Sequence, residues 1–132
     1  MRRVHHLGIV VRDLDQAVRF FFDGLGLEVE RQAVIEDQGV RAALLPLANA
    51  ALELIEPLTG ESGVGRYLER RGEGLHHICF TSAALEEEMQ TLQQKGIELI
   101  DAKPRDGLAG RVCFIHPRAH AGVLVELVEA LG

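Results

Sequence analysis

Hydrophobic and polar positions along the chain follow an order that begins with a strand and a helix. The apolar run at residues 4–11 predicts a β-strand. The next apolar residues have the i, i+3, i+4, i+7, i+8, i+11 spacing of one helix face: Leu14, Ala17, Val18, Phe21, Phe22 and Leu25. Asp13 is placed to cap this helix, and Gly26 is placed to end it. Strand-like runs follow at residues 27–35, 40–47 and 50–57, with turns at 38–39 and 48–49.

The second half of the chain repeats this order. Residues 75–80 predict a strand, and Ser82 is expected to cap a helix that runs through Lys95 and ends at Gly96. Further strands are predicted near residues 97–101, 111–116 and 122–129. The intervening residues 59–73 join the halves and contain a predicted short helix at about 64–70. Each half therefore predicts a βαβββ unit.

Short sequence strings show that the two halves are a duplication. VHHLGI at residues 4–9 returns as LHHICF at residues 75–80, and ELIEPL at residues 53–58 returns as ELVEAL at residues 126–131. The offset is 71 residues for the histidines and 73 residues for the glutamates. A duplication of this length predicts two similar units packed about a pseudo-two-fold axis.

Composition narrows the classes of function. The net charge of -6 argues against general nucleic-acid binding, which needs phosphate neutralisation. No apolar stretch approaches the roughly 20 residues that span a bilayer, and residues 1–11 lack the pattern of a signal peptide. Cys79 and Cys113 lie in apolar runs without CxxC spacing, which favours buried free thiols. We therefore expect a cytoplasmic protein that binds neither membranes nor nucleic acid.

The repeated polar residues are histidines on the first strand and glutamates on the last strand of each half. A single glutamate of this kind is ordinarily explained by a solvated strand face. A single histidine is ordinarily a hydrogen-bonded residue of the core. Their repetition at matching positions favours a metal site, because two imidazoles and two carboxylates form a mixed N/O ligand set for a divalent ion. We expect them to converge where the halves meet. Alternate side chains of a strand share a face, so one histidine of each adjacent pair can contribute, and the spacing alone leaves both open.

Longer strings resemble a known superfamily. HHLGIVVRDL at residues 5–14 is similar to the opening strand of the vicinal oxygen chelate superfamily. Seven further strings resemble its methylmalonyl-CoA epimerases: FFDGLGL at 21–27, DQGVR at 37–41, LLPL at 44–47, ELIEPL at 53–58, GEGLHHICF at 72–80, HPR at 116–118 and GVLVEL at 122–127. The resemblance implies an α+β fold in which two tandem βαβββ modules form an eight-stranded, partly open barrel. It also implies a single domain over residues 1–132, with modules at about 1–58 and 74–132 and a linker at about 59–73.

The resemblance assigns the metal site residue by residue. The second histidine of each pair is the implied ligand, and with the glutamates the set is His6, Glu53, His77 and Glu126. His5 and His76 would then be structural. The implied cofactor is a divalent metal ion, with cobalt expected and manganese, nickel, zinc or magnesium as alternatives.

The implied activity is epimerisation of methylmalonyl-CoA, by loss and return of the C2 proton through a metal-stabilised enolate. Glu126 is the implied base as well as a ligand. Some relatives carry a second carboxylate where this chain has Ala42. The second acid or base therefore stays open among Glu36, Asp37, a metal-bound water and Glu53.

The implied partner is an acyl-CoA substrate, and a homodimer is expected by analogy. Coenzyme A is polyanionic, so basic residues within 59–71 or 103–111 are expected to bind it. Three alternatives from the same superfamily remain: a glyoxalase I-type lactoylglutathione lyase, an Fe(II) extradiol dioxygenase and a metal-free small-molecule binding protein. The dioxygenase needs only one carboxylate ligand, and the binding protein needs no ligands, so both are disfavoured by the four repeated residues.

Overall fold

The computed structural model describes residues 2–117 and 124–130, except for the side chain of Ala130. Predicted motif residues Arg118, Gly122 and Val123 lie outside the described residues. The helices are α1 (Leu14–Leu25), α2 (Gly63–Arg71) and α3 (Leu85–Gln94). The strands are β1 (Val4–Val10), β2 (Arg31–Ile35), β3 (Val40–Pro46), β4 (Ala51–Pro57), β5 (Gly74–Thr81), β6 (Arg105–Asp106), β7 (Gly110–Ile115) and β8 (Leu124–Ala130). This order confirms the predicted α+β class and the repeated βαβββ arrangement.

Contacts divide the chain into two compact units. The first unit comprises residues 6–76, and the second comprises residues 1–5 and 77–132. Helix α2 lies in the stretch predicted as a linker, and it packs on β4 within the first unit. The division into two modules with a separate linker stays a prediction.

The first unit is a four-stranded sheet with α1 on one face. The strand order is β2-β3-β4-β1, in which β1 runs parallel to β4 and the other pairs are antiparallel. The core under α1 is formed by buried apolar residues of the helix, of the sheet and of the segment that joins β1 to α1: Val11, Leu14, Ala43, Leu45 and Leu54. Asp13 caps α1 as predicted, because its Oδ1 accepts the backbone N–H of Gln16 at 3.0 Å. Gly26 ends α1 in the left-handed conformation, with φ 70°.

The predicted apolar face of α1 is wrong at its last two positions. Phe22 is 52% exposed and Leu25 is 65% exposed. At about 100° per residue, Phe22 lies about 80° around the helix axis from Leu14, and Leu25 is the last helical residue. The helix face that contacts the sheet is therefore narrower than the sequence pattern indicated. Strand β2 also begins later than predicted, at Arg31.

The second unit has the strand order β5-β8-β7-β6, with β5 parallel to β8 and the other pairs antiparallel. Helix α3 covers one face through buried apolar residues: Leu85, Met89, Cys113 and Leu127. The prediction that Ser82 caps this helix is wrong. Helix α3 begins at Leu85, and the residue before it, Ala84, makes no side-chain capping bond. Ala84 is the counterpart of Asp13 in the duplication. Gly96 follows the helix with φ 78°, as predicted for its end.

The strand predicted at residues 97–101 is also wrong. This segment forms only one isolated bridge, between Leu99 and Ile115, and the edge strand β6 lies later, at Arg105–Asp106. The physical reason is that the side chain of Asp101, and not a strand backbone, accepts the N–H of Phe114 on β7. Among the described residues, no helix is long and apolar enough to cross a membrane.

Candidate metal centre

The first unit carries a buried histidine and glutamate on the sheet face opposite α1, which we name its ligand face. Gly8 of β1 is in register with Glu53 of β4 in a parallel pair. His6 lies two residues before Gly8 and therefore shares the face of Glu53. His6 Nε2 and Glu53 Oε2 are 3.7 Å apart. His6 is 1% exposed and Glu53 is 5% exposed.

The neighbours of Glu53 on this face are apolar. Leu44 lies opposite Glu53 across the β3–β4 pair, and Ala42 lies opposite Ile55. These three neighbours, Leu44, Ala42 and Ile55, are all buried. An ionised carboxylate among such side chains is costly unless it has a partner. The imidazole of His6 is one such partner, and a bound cation would be another.

The second unit repeats the arrangement on the sheet face opposite α3, its own ligand face. Cys79 of β5 is in register with Glu126 of β8, and His77 lies two residues before Cys79. His77 Nε2 and Glu126 Oε1 are 3.2 Å apart, and both residues are buried. The ring of Phe114 meets the His77 ring edge to face, with centroids 6.2 Å apart and an interplanar angle of 89°.

The donor atoms fit a divalent metal ion. Ligands about 2.1 Å from one ion, at angles between octahedral and tetrahedral, lie about 3.0–3.4 Å apart. The 3.2 Å separation in the second unit falls in this range, and the 3.7 Å separation in the first unit is slightly wider. Each unit thus offers one imidazole nitrogen and one carboxylate oxygen of the type that a histidine/glutamate metal group uses.

The structure also places the other residues considered from the sequence. His76 packs edge to face on Tyr67, with ring centroids 4.6 Å apart, which is a structural contact within the first unit. Ala42 is fully buried on the ligand face. Glu36 and Asp37 are exposed on the short 3-10 helix that precedes β3.

Sequence reasoning missed the role of the second glutamate in each repeat. Glu56 Oε2 accepts the N–H of Leu14, the first residue of α1, at 3.0 Å. Its Oε1 accepts a hydrogen bond from Arg41 at 3.0 Å, and Arg41 also contacts Asp15. These contacts lie on the helix side of the sheet. The ELIEP string could have indicated this role, because side chains alternate along a strand and Glu56 therefore points to the face opposite Glu53.

The second unit has the same contacts at the duplicated positions. Glu129 accepts the N–H of Leu85 at 3.2 Å and pairs with Arg111 at 2.6 Å. Arg111 also contacts Glu86. The hydrogen bonds from Arg111, and then from the Leu85 backbone, hold the pKa of Glu129 below its usual range. The repeat therefore conserves a helix-capping carboxylate as well as a ligand-face carboxylate.

The two basic clusters considered for coenzyme A differ in how far their arginines are paired with carboxylates. In the 103–111 cluster, Arg105 pairs with Asp101, and Arg111 pairs with glutamates. In the 59–71 cluster, Arg66 and Arg70 are exposed on α2. Arg71, at the end of α2, lies over the ring of Tyr67 at 5.5 Å.

Known proteins similar to this chain identify its family. A family model described as the Glyoxalase/Bleomycin resistance protein/Dioxygenase superfamily matches residues 5–114. Uncharacterized protein YqjC of Bacillus subtilis is 44% identical over 100% of this chain and 95% of its own length. Ethylmalonyl-CoA/methylmalonyl-CoA epimerase of Cereibacter sphaeroides is 33% identical over 96% of this chain and 97% of its own length.

A solved structure extends the similarity to three dimensions. The structure of a methylmalonyl-CoA epimerase in complex with methylmalonyl-CoA and NH4+ has a TM-score of 0.95 to this chain at 37% identity. The match covers 100% of this chain and 96% of that one. The resemblance to methylmalonyl-CoA epimerases and to their fold, first seen in the sequence strings, is confirmed. The chain therefore belongs to the Glyoxalase/Bleomycin resistance protein/Dioxygenase superfamily.

Proposed function

We propose that this protein is an isomerase that interconverts the R and S forms of methylmalonyl-CoA. The observation that carries the proposal is the buried histidine/glutamate pair on the ligand face of each unit. The pairs occur in a chain whose relatives include methylmalonyl-CoA epimerases. A structural role alone needs no repetition of both residue types on the same face.

We propose that His6, Glu53, His77 and Glu126 together hold one divalent metal ion. The support is the donor chemistry of each pair and the separation of its donor atoms. Such an ion would supply Lewis-acid stabilisation of the enolate charge that develops on the thioester and carboxylate oxygens. Cobalt is the expected ion, and manganese, nickel, zinc and magnesium are the alternatives that metal analysis would separate.

Glu126 is the proposed base that removes the C2 proton. Glu126 is buried and shares the ligand face with the apolar residues Phe114, Val112 and Val128. These side chains exclude water, so a proton taken from C2 has few competing acceptors. The carboxylate returns the proton to the substrate when the reaction runs in the other direction.

Inversion at C2 needs a second proton-transfer group on the other face of the substrate, and Glu53 is our candidate. Among the described residues of the first unit's ligand face, Glu53 is the only carboxylate. Glu36 and Asp37 are exposed on the 3-10 helix, and Ala42 carries no ionisable group. The duplication supports the assignment, because Glu53 and Glu126 occupy matching positions in their units.

The coenzyme A moiety is proposed to contact the exposed arginines of α2. Arg66 and Arg70 are exposed, whereas Arg105 and Arg111 of the other cluster are engaged by carboxylates. The double substitution of Arg66 and Arg70 by alanine should raise KM, increase its dependence on salt and leave kcat near the wild-type value. An unchanged KM would discard this patch.

The test of the function is proton exchange at C2. Cobalt-loaded protein is mixed with each epimer of methylmalonyl-CoA in deuterated water, and loss of the C2 proton is followed by NMR. Glu126→Gln keeps an oxygen donor and removes the base, so exchange should fall about 10²–10⁴-fold. Glu129→Gln on the same strand is the matched control, because its carboxylate faces α3 and should leave exchange unchanged.

The result with each epimer separates the roles of the two carboxylates. We expect the fall in Glu126→Gln to be confined to one epimer and a similar fall in Glu53→Gln to be confined to the other. Absence of exchange in the cobalt-loaded wild-type protein would refute the epimerase function. Turnover of the hemithioacetal of methylglyoxal and glutathione would then identify the glyoxalase I alternative.

Two further properties belong to this proposal. The family resemblance supports a homodimer, which light scattering of the purified protein tests. The two buried free cysteines support a reducing compartment, and we propose the cytoplasm.

A further inference from the structure

We infer that Asp101 is a positioning residue for the metal ligands of the second unit, acting through Phe114. The inference rests on the proposed function, since it assigns His77 and Glu126 to a metal site. Asp101 itself is not a ligand candidate, because its carboxylate is directed to the backbone of β7.

Asp101 is a buried acid with two partners inside its unit. It is 9% exposed, in the segment between α3 and β6. Its Oδ2 accepts the backbone N–H of Phe114 at 2.9 Å, and its Oδ1 lies 3.2 Å from Arg105. The adjacent Ile100 donates its N–H to the carbonyl of Phe114 at 2.9 Å. The N–H and the carbonyl of Phe114 are therefore both bound by two consecutive residues, Asp101 and Ile100.

Phe114 connects this anchor to both proposed ligands. It lies opposite Glu126 in the β7–β8 register. Its ring meets the imidazole of His77 edge to face. Such ring pairs depend on angle and distance, so a displacement of the Phe114 backbone would change the orientation of His77.

Comparison of the two units shows that this anchor arose where the duplication diverges. Leu44 is the counterpart of Phe114, because each lies opposite the ligand-face glutamate of its unit. Leu44 is paired with Arg31 of β2 in a regular strand register. Asp101 takes the place of Arg31 in the contacts with these two residues. Glu30 donates to the Leu44 carbonyl at 2.8 Å, as Ile100 does to that of Phe114. The second unit has thus exchanged a strand pair for a side-chain hydrogen bond at the residue that contacts His77.

Substitutions at Asp101 separate positioning from general stability. Asp101→Asn keeps an oxygen acceptor for the Phe114 N–H, and Asp101→Ala removes it. We expect Asp101→Ala to weaken Co²⁺ binding about tenfold, the lower end of effects for groups that orient metal ligands. Asp101→Asn should retain affinity within about threefold of wild type. The readouts are calorimetric Co²⁺ titration and the visible absorption spectrum of the bound Co²⁺, which reports the ligand geometry.

A control variant accounts for destabilisation. Met89→Ala removes a buried side chain of α3 on the opposite face of the same unit. It should lower the melting temperature and leave the Co²⁺ affinity and spectrum unchanged. Phe114→Leu removes the ring contact directly and should reproduce the weaker binding. Combined with Asp101→Ala, it should give a loss smaller than the product of the two single losses.

The outcomes distinguish this inference from the proposed function. If wild-type protein binds Co²⁺ and His77→Ala weakens that binding, the site stands. Wild-type affinity in Asp101→Ala or Phe114→Leu would then overturn the role of Asp101 alone. Equal losses in Asp101→Asn and Asp101→Ala would also overturn it, because the retained acceptor would not have restored the geometry. Absence of Co²⁺ binding in the wild type would overturn both proposals. If Asp101→Ala does not fold, Asp101→Asn and Phe114→Leu decide the question.

Discussion

Replacement of Glu56 by alanine should destabilise the protein much more than a surface ion pair would. The Glu56 side chain is 20% exposed, and it accepts hydrogen bonds from Leu14 and Arg41. An exposed ion pair contributes little to stability. The N–H of Leu14 is different, because Leu14 is fully buried and the first N–H groups of a helix have no partner within the helix.

The magnitude follows from the group that loses its acceptor. A buried N–H left without a hydrogen bond costs about 1–3 kcal/mol, and loss of a helix cap costs about 0.5–2 kcal/mol. These two figures describe the same lost bond, so we expect a decrease of about 2 kcal/mol in the free energy of unfolding. Glu56→Gln keeps an amide oxygen as an acceptor and should lose less than half as much.

Urea unfolding at neutral pH measures this difference through the midpoint, provided that the slope is shared. Arg41→Ala removes the ion pair and keeps the helix cap, so its midpoint should stay closer to wild type than that of Glu56→Ala. Glu36→Ala, at an exposed glutamate of the 3-10 helix, is the control and should leave the midpoint unchanged. A loss in Arg41→Ala as large as in Glu56→Ala would refute the capping argument, because the ion pair would then account for the whole effect.

Three further predictions follow from the same packing. Gly65→Ala should destabilise by about 1–3 kcal/mol in urea unfolding, because its Cβ would overlap a backbone carbonyl, while Gly63→Ala, with open space around it, should not. Burial raises the pKa of Cys113 to about 12, so the thiol should resist alkylation at pH 8 until urea unfolds the protein. The depressed pKa of Glu129 stabilises the fold above its unfolded pKa of about 4.3, and this stability should be lost as pH falls through the folded value. Arg111→Ala should flatten that acid-side slope in pH-dependent unfolding.

The elements that sequence predicted correctly have strong local signals. Helix α1 begins after Asp13 and ends at Gly26, as the cap and terminator patterns indicated. The turn at residues 48–49 was also predicted, and Leu47 and Ala50 close it with a 2.8 Å backbone hydrogen bond. In these cases the residue type itself favours the observed backbone conformation.

Two of the errors lie where a distant residue replaces the local signal. Ser82 has the preferred chemistry of a helix cap, but the N–H of Leu85 is satisfied by Glu129 from β8. The apolar run at residues 97–101 has strand composition, but Asp101 binds β7 through its side chain. Neither partner is adjacent in sequence, so periodicity could not reveal them. The duplication could have indicated the first, because Glu129 repeats Glu56.

The duplicated residues divide into those that both units keep and those in which the units differ. Each unit keeps a histidine and a glutamate on its ligand face and a second glutamate at the start of its helix. The helix cap and the edge strand differ, since Asp13 corresponds to Ala84 and a paired β2 corresponds to the side chain of Asp101. Packing can be satisfied in several ways, so those contacts can change between copies. Donor atoms for one ion must keep their type and separation. The proposed metal site would therefore explain why the ligand-face pair is the part of the repeat that is clearest in the sequence.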